Sequence, residues 1–411
     1  MGPDCRRQDV LPVQCLQTRG EAAFLQESLA WHLLAGWAHA VVFVDLGEVD
    51  SRWPHTLAAL RPFVEAGAAT AVRVVHRRSD ALGSGELRDE ALQGALGRLC
   101  VEAVHAGGCG LTHAPDAGQG GASEAMAATR PLPPGTPRRL PASWGPSDLP
   151  TTDNRSLGWP PCPPSAERAW EERLWVSKLD DDEFVAPRGP SAGACVSDLL
   201  RRPNILAAGG VCPPWLVYGG HAHVEHPREA GGAGLALVTE AFTGRAPSVR
   251  AVGKVIARLP GLASFEDGGL WPYYDAAVSS SSSSGSRPRP ISGLGSPCVF
   301  PPAAVPAHLT NATWPPLVTG HFYGRAMDRG LLKWARGRPG FDAGAAGRWP
   351  RLRRPSELVT AQWDLPAPGR PLGESQLPPD KAFSVDEPLS PRLSAQVRVA
   401  LGLPPRPRAV A

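Results

Sequence analysis

Lysine is scarce in this chain of 411 residues: Lys178, Lys254, Lys333 and Lys381 are the four among 42 basic residues. With formal charge at +3, charge alone does not point to nucleic acid. No apolar run of about 18 residues occurs, so no membrane-crossing helix is expected. The start, Met1 to Arg6, lacks the charged-then-apolar layout of a secretory signal, and the chain reads as soluble. The eight cysteines have no paired short spacing, which excludes a structural zinc site. No Gly-rich stretch runs into Lys-Ser or Lys-Thr, so a phosphate-cradling P-loop is absent and metal-assisted phosphoryl transfer becomes a secondary reading.

What is abundant divides the chain. Its 45 Gly and 46 Pro interrupt regular elements, while 42% hydrophobic residues and 13 Trp supply a core for one large domain or two ordinary ones. Phe24, Leu25, Leu29 and Leu33 recur at helical spacing ahead of Gly36, predicting a helix over 21–35. His39 to Asp45 and Ala69 to Val75 read as strands with a helix over 56–66 between them. A further apolar strand, 173–179, runs into Asp180-Asp-Asp-Glu183. After it a short helix is expected over 196–201 and a strand over 205–208. Strands alternating with helices imply an α/β fold with a mostly parallel, Rossmann-like sheet. The domain spans 10–345, interrupted by flexible inserts at about 107–165 and 267–297, and a Pro-rich disordered tail follows over 346–411. Cysteine number and the sequons at Asn154 and Asn311 leave oxidising and reducing compartments equally open.

Four consecutive carboxylates need a counter-charge. If the chain stays extended, Asp180 and Asp182 project to the same side, where a hard divalent ion could bridge them. The alternative is a solvated acidic turn paired with Lys178.

The Leu179-Asp-Asp-Asp-Glu-Phe184 segment resembles the DxD element of family 92 glycosyltransferases and related GT-A enzymes. Further matches follow in order. Arg19-Gly-Glu21 with Phe24-Leu-Gln-Glu27, Trp31-His32 and Gly36 is similar to that family's Lys-x-Glu, Tyr-Leu-x-Glu-Trp, His and Gly pattern. Asp45 and Asp50 match its Asp-Asn-x-Ser-x-Asp, with Leu46 and Glu48 in place of Asn and Ser. Trp215-Leu-Val-Tyr-Gly219 resembles its Trp-x-x-Phe-Gly segment, Lys254 its Lys-Ser-Ile-Val, and His321-Phe-Tyr323 with Lys333 and Arg336-Gly337 its ending. The likeness covers roughly 13–105 and 167–340. Departures are Gly20 where an acidic or amide residue is usual, Ser28 in place of Trp, and the two inserts.

The resemblance implies a GT-A fold and a metal-dependent hexosyltransferase. Such an enzyme moves a hexose, galactose favoured, from a nucleoside diphosphate sugar, UDP-linked, to a glycan or glycoprotein acceptor with inversion. It assigns Asp180, Asp182 and His321 to Mn(II) or Mg(II), and Glu21, Asp45, Asp50, Asp180 and Lys254 to the donor. Lys333 and Arg336 are further candidates for phosphate. Gln93 and Cys100 match a spacing in the family but read as ordinary helix and core positions. The base that inversion requires is not identified; Glu225 and Glu240 are candidates, and Trp215 and Tyr218 could stack on a sugar. No nucleic-acid partner is implied. Relatives are Golgi proteins with an N-terminal anchor, so membrane association would run through a segment preceding this sequence. The alternative is a catalytically inactive relative serving as a binding or scaffold module.

Overall fold

In a computed structural model, the described residues are 5, 10–46, 50–75, 92, 94–105, 147, 149, 151–152, 168–219, 226–229, 234–250, 254–266, 271–274, 316–322 and 385–404. They form a mixed α/β fold with two mixed sheets. Strands β1 (Leu11–Thr18), β2 (His39–Val44), β3 (Ala69–Arg73) and β4 (Leu174–Asp180) pair in parallel in the order β3-β2-β1-β4. Two short strands, Ile256–Arg258 and Gly210–Val211, extend this sheet antiparallel beyond β4.

Side chains alternate across the sheet, as strand geometry requires. Leu16, Val42, Val44, Trp175 and Leu179 join the core beneath helices α1 (Ala22–Ala35) and α2 (Trp53–Glu65). Val13, Cys15, Val41, Phe43, Leu174 and Val176 face the other way, onto a core shared with a helix over 94–105. Covering both faces is what permits continuous apolar strands. The disulfide Cys15–Cys100 ties β1 to that second helix, Cys5–Cys195 is a second bridge, and Cys212 is also disulfide-bonded.

Strand β5 (Glu183–Pro187) belongs to the other sheet. It lies at its edge beside Leu317–His321, followed by Trp215–Tyr218, Gly244–Arg250 and Val385–Asp386. The chain thus passes from one sheet to the other across the two-residue turn Asp181-Asp182. Helix α1 closes the exposed edge of β5. Trp31 Nε1 donates to Val185 O at 2.8 Å, and Val185 N donates to His32 Nε2 at 3.3 Å. Among the described residues no strand pairs these two groups on that side, and buried side chains substitute for one.

That arrangement requires a neutral His32, whose Nδ1 also meets Ser28 O at 2.7 Å. Burial pushes both His32 and His39 down to about 4. With folded values below the unfolded 6.5, each contributes stability that is full above pH 6.5 and lost as pH falls towards 4. The slope is up to about 1.4 kcal/mol per pH unit for each histidine. His39→Gln is expected to flatten the acid limb of the urea-unfolding free energy between pH 6.5 and 4.5; an unchanged slope would contradict the assignment.

Helices α1 and α2 and strands β2 to β4 lie within a few residues of their expected positions, β1 had not been expected, and four segments differ. Residues 205–208 are helical (Pro203–Ala208), not a strand. Pro203 presets the first turn, and Gly209, at φ 71°, stops it with its N–H on Ile205 O and Leu206 O. Within the first expected insert, Leu149 is buried, Thr151 bridges Arg73, and Thr152 Oγ1 accepts from Val75 N. Within the second, Trp271–Tyr274 pairs antiparallel with Leu262–Glu266. The expected disordered tail contains a short strand, Val385–Asp386, and a helix, Pro391–Ala400. Ser390 Oγ caps this helix on Leu393 N, and Leu393 and Val397 are buried against α1's core.

Candidate functional site

The parallel strands point their C-terminal ends to one edge. There, β1 has its neighbours β2 and β4 on opposite sides, so the chain leaves β1 on one side of the sheet and returns on the other. In open α/β sheets this reversal opens a crevice where ligands bind. Glu21, Asp45 and the acidic run from Asp180 all follow strand ends at this edge, with Gln17 in register with Asp180 and Thr18 with Val44. Thr18 Oγ1 lies 3.5 Å from Asp181 Oδ2, linking the two tips across the reversal.

Asp45 accepts from Arg19 Nε at 2.8 Å and from Gln17 Nε2 at 3.2 Å. Asp50 accepts from the backbone N of Arg52 at 2.9 Å and from its guanidinium, which also donates to Arg19 O at 2.8 Å. The Arg52 guanidinium is held above its usual range by that Asp50 bond, with Glu21 and Asp45 adding to it. Gly20 explains one departure from the family pattern. Its φ is 87°, and a Cβ there would lie 3.0 Å from the Arg52 side chain. Leu46, another departure, is buried in the α1 core.

Asp180 ends β4 and Glu183 begins β5. Lys254 Nζ lies 3.0 Å from Asp180 Oδ2 and 3.6 Å from Glu183 Oε2, and Lys178 Nζ lies 3.8 Å from Asp180 Oδ1. Burial acts to raise the Asp180 carboxyl, but the two ammonium groups outweigh it and hold it at about 2. Glu183 is fully buried, and burial lifts its carboxyl to about 8 despite Lys254. Asp182 turns the other way. Its Oδ1 stands 3.8 Å from His321 Nε2, and its carbonyl accepts from Phe322 N at 2.9 Å. His321 is in register with Glu183 and packs its ring 4.7 Å from that of Trp215.

The turn at Asp181-Asp182 breaks the extension on which a same-side placement of Asp180 and Asp182 depends. Asp180 faces two lysines and Asp182 faces His321, and among the described residues no three His, Cys, Asp or Glu side chains gather closely enough to hold a metal ion. As placed, Asp180, Asp182 and His321 do not fit a divalent ion as one ligand set.

Two further expectations change. Glu240 is not a poised base: its carboxylate receives the Arg398 guanidinium, which Glu229 also binds at 2.8 Å. Tyr218 is fully buried, stacked on Phe322 at 4.5 Å and donating to Glu387 O, so it faces no sugar. Glu225, Gln93, Lys333 and Arg336 lie outside the described residues. Sequence reasoning missed the roles of Arg19 and Arg52; the available signal was an arginine within two residues of Glu21 and of Asp50. It also missed Glu27, which is buried and caps a helix at Val238 and Thr239.

None of the described helices is long and apolar enough to cross a membrane. No family model matches this chain, and no curated protein matches it.

Proposed function

We propose that the chain is a GT-A-type glycosyltransferase that moves a hexose, galactose favoured, from a UDP-linked donor to a glycan or glycoprotein acceptor with inversion. The observation that carries this reading is the gathering of Glu21, Asp45 and the Asp180 corner at the reversal edge of a β3-β2-β1-β4 sheet. That edge suits a nucleotide. Asp45 and Glu21 would accept hydrogen bonds from base and ribose, with Arg19 fixing the Asp45 carboxylate. Chemically, the acceptor hydroxyl attacks the anomeric carbon, the bond to the diphosphate breaks, and the hydroxyl proton passes to a base. Glu240, occupied by Arg398, is not proposed for that role. The disulfides agree with folding in an oxidising compartment, as a Golgi enzyme would.

Calorimetric titration with UDP, with and without Mn(II), tests the reading, the metal implied by the resemblance entering as a variable. Binding is expected, weakened about tenfold in Asp45→Asn, as the loss of one charged hydrogen bond of about 1.5 kcal/mol implies. No UDP binding under either condition would contradict it.

A further inference from the structure

Lys178 and Lys254 are 2% and 4% exposed, yet the carboxylate between them satisfies only one. Lys254 Nζ hydrogen-bonds Asp180 Oδ2 at 3.0 Å. Among the described residues, Lys178 Nζ, 3.8 Å from Oδ1, has no hydrogen-bond partner. A buried ammonium normally requires both a counter-charge and acceptors for its protons, so this group is a donor awaiting an acceptor. The Asp180 side chain is 36% exposed and terminates its strand. It is the one member of the trio that can swing outwards.

We infer that Lys178 and Lys254 form an anion site in which the Asp180 carboxylate is a displaceable stand-in for a phosphate or diphosphate group. A tetrahedral phosphate presents more oxygens than a carboxylate and can satisfy both ammonium groups at once. Thr18 and Gln17 bring the end of β1 alongside, so the anion would sit at the sheet's reversal edge. The inference deepens the donor reading and rests on it only for the identity of the phosphate-bearing ligand. It requires no divalent ion.

The test is titration of the full chain with inorganic pyrophosphate in excess EDTA, beside a UDP arm with Mn(II), with folding of each variant checked by circular dichroism. Pyrophosphate binding is expected without metal, tenfold or more weaker in Lys178→Met and Lys254→Met and largely kept in Lys178→Arg. Asp180→Asn, which removes the competing carboxylate, is expected to tighten it several-fold. A metal-ligand role for Asp180 predicts the opposite sign. Absence of binding in EDTA, or binding indifferent to Lys178→Met, overturns the inference. Where a methionine variant does not fold, the wild type and Asp180→Asn decide it. UDP binding that needs Mn(II) and ignores both lysines would leave the donor reading standing and this inference overturned. Metal-free pyrophosphate binding through the lysines with no UDP binding would do the reverse.

Discussion

Arg398→Met is expected to lower stability by about 3 to 5 kcal/mol, the cost of breaking a buried charge cluster from one side. The guanidinium lies between Glu229, whose oxygens it meets at 2.8 Å, and Glu240. Both carboxylates are largely buried, at 6% and 11% side-chain exposure. Without Arg398 they keep their desolvation and lose their shared counter-ion. The same helix buries Leu393 and Val397, and Leu389 just before it packs so closely on Gly320 that a Cβ there would lie 2.5 Å from a Leu389 methyl carbon. Glu387 joins Arg188 and Arg245 nearby. The 385–404 segment is therefore an integral part of the fold. Urea unfolding checks the prediction: a change under about 1 kcal/mol, typical of exposed ion pairs, would contradict it.

Removing the Cys15–Cys100 bridge is expected to cost on the order of 4 kcal/mol in the chain-entropy account. The two cysteines are 85 residues apart in sequence, so their bond removes much freedom from the unfolded chain. Both side chains are fully buried in the core between the sheet and the 94–105 helix. A Cys15→Ala/Cys100→Ala protein should unfold at markedly lower urea than the wild type, whereas a mild reductant should act slowly on so buried a bond. Equal midpoints for the two proteins would show that the bridge adds nothing.

Strands β2 to β4 were legible because their apolar runs are short and continuous, whereas Gln14 and Gln17 interrupt the run of β1. Helix α1 was legible for a different reason, its apolar spacing ending at Gly36, which takes φ 101° and closes the helix. The 391–400 helix carried comparable signals, with Ser390 as cap, Pro391 in the first turn, and Leu393, Val397 and Ala400 at helical spacing. Proline-rich sequence on either side obscured them. For 203–208, Ile, Leu and Ala fit either element, and only Pro203 and Gly209 distinguish a helix.

The site was legible in composition but not in direction. Asp45, Asp180 and Asp182 stand at strand ends, as apolar runs terminating in carboxylates suggest. Which way each points depends on a tight turn joining two different sheets, and no local pattern marks it. Lys254 reaches Asp180 from 74 positions away, a pairing set by the antiparallel strand beside β4. Trp31, His32 and Glu27 show the converse: residues within a family-like motif can serve the scaffold. The first two seal β5's edge, and Glu27 accepts from Val238 N at 2.6 Å and Thr239 N at 3.0 Å.

Hydrogen exchange across a UDP titration tests the central claim most directly. The account predicts protection concentrated at the ends of β1, β2 and β4, around residues 18–21, 44–46 and 178–184, with little change in the 391–400 helix. Protection confined to other segments, or none at saturating UDP, would contradict a nucleotide site at the reversal edge.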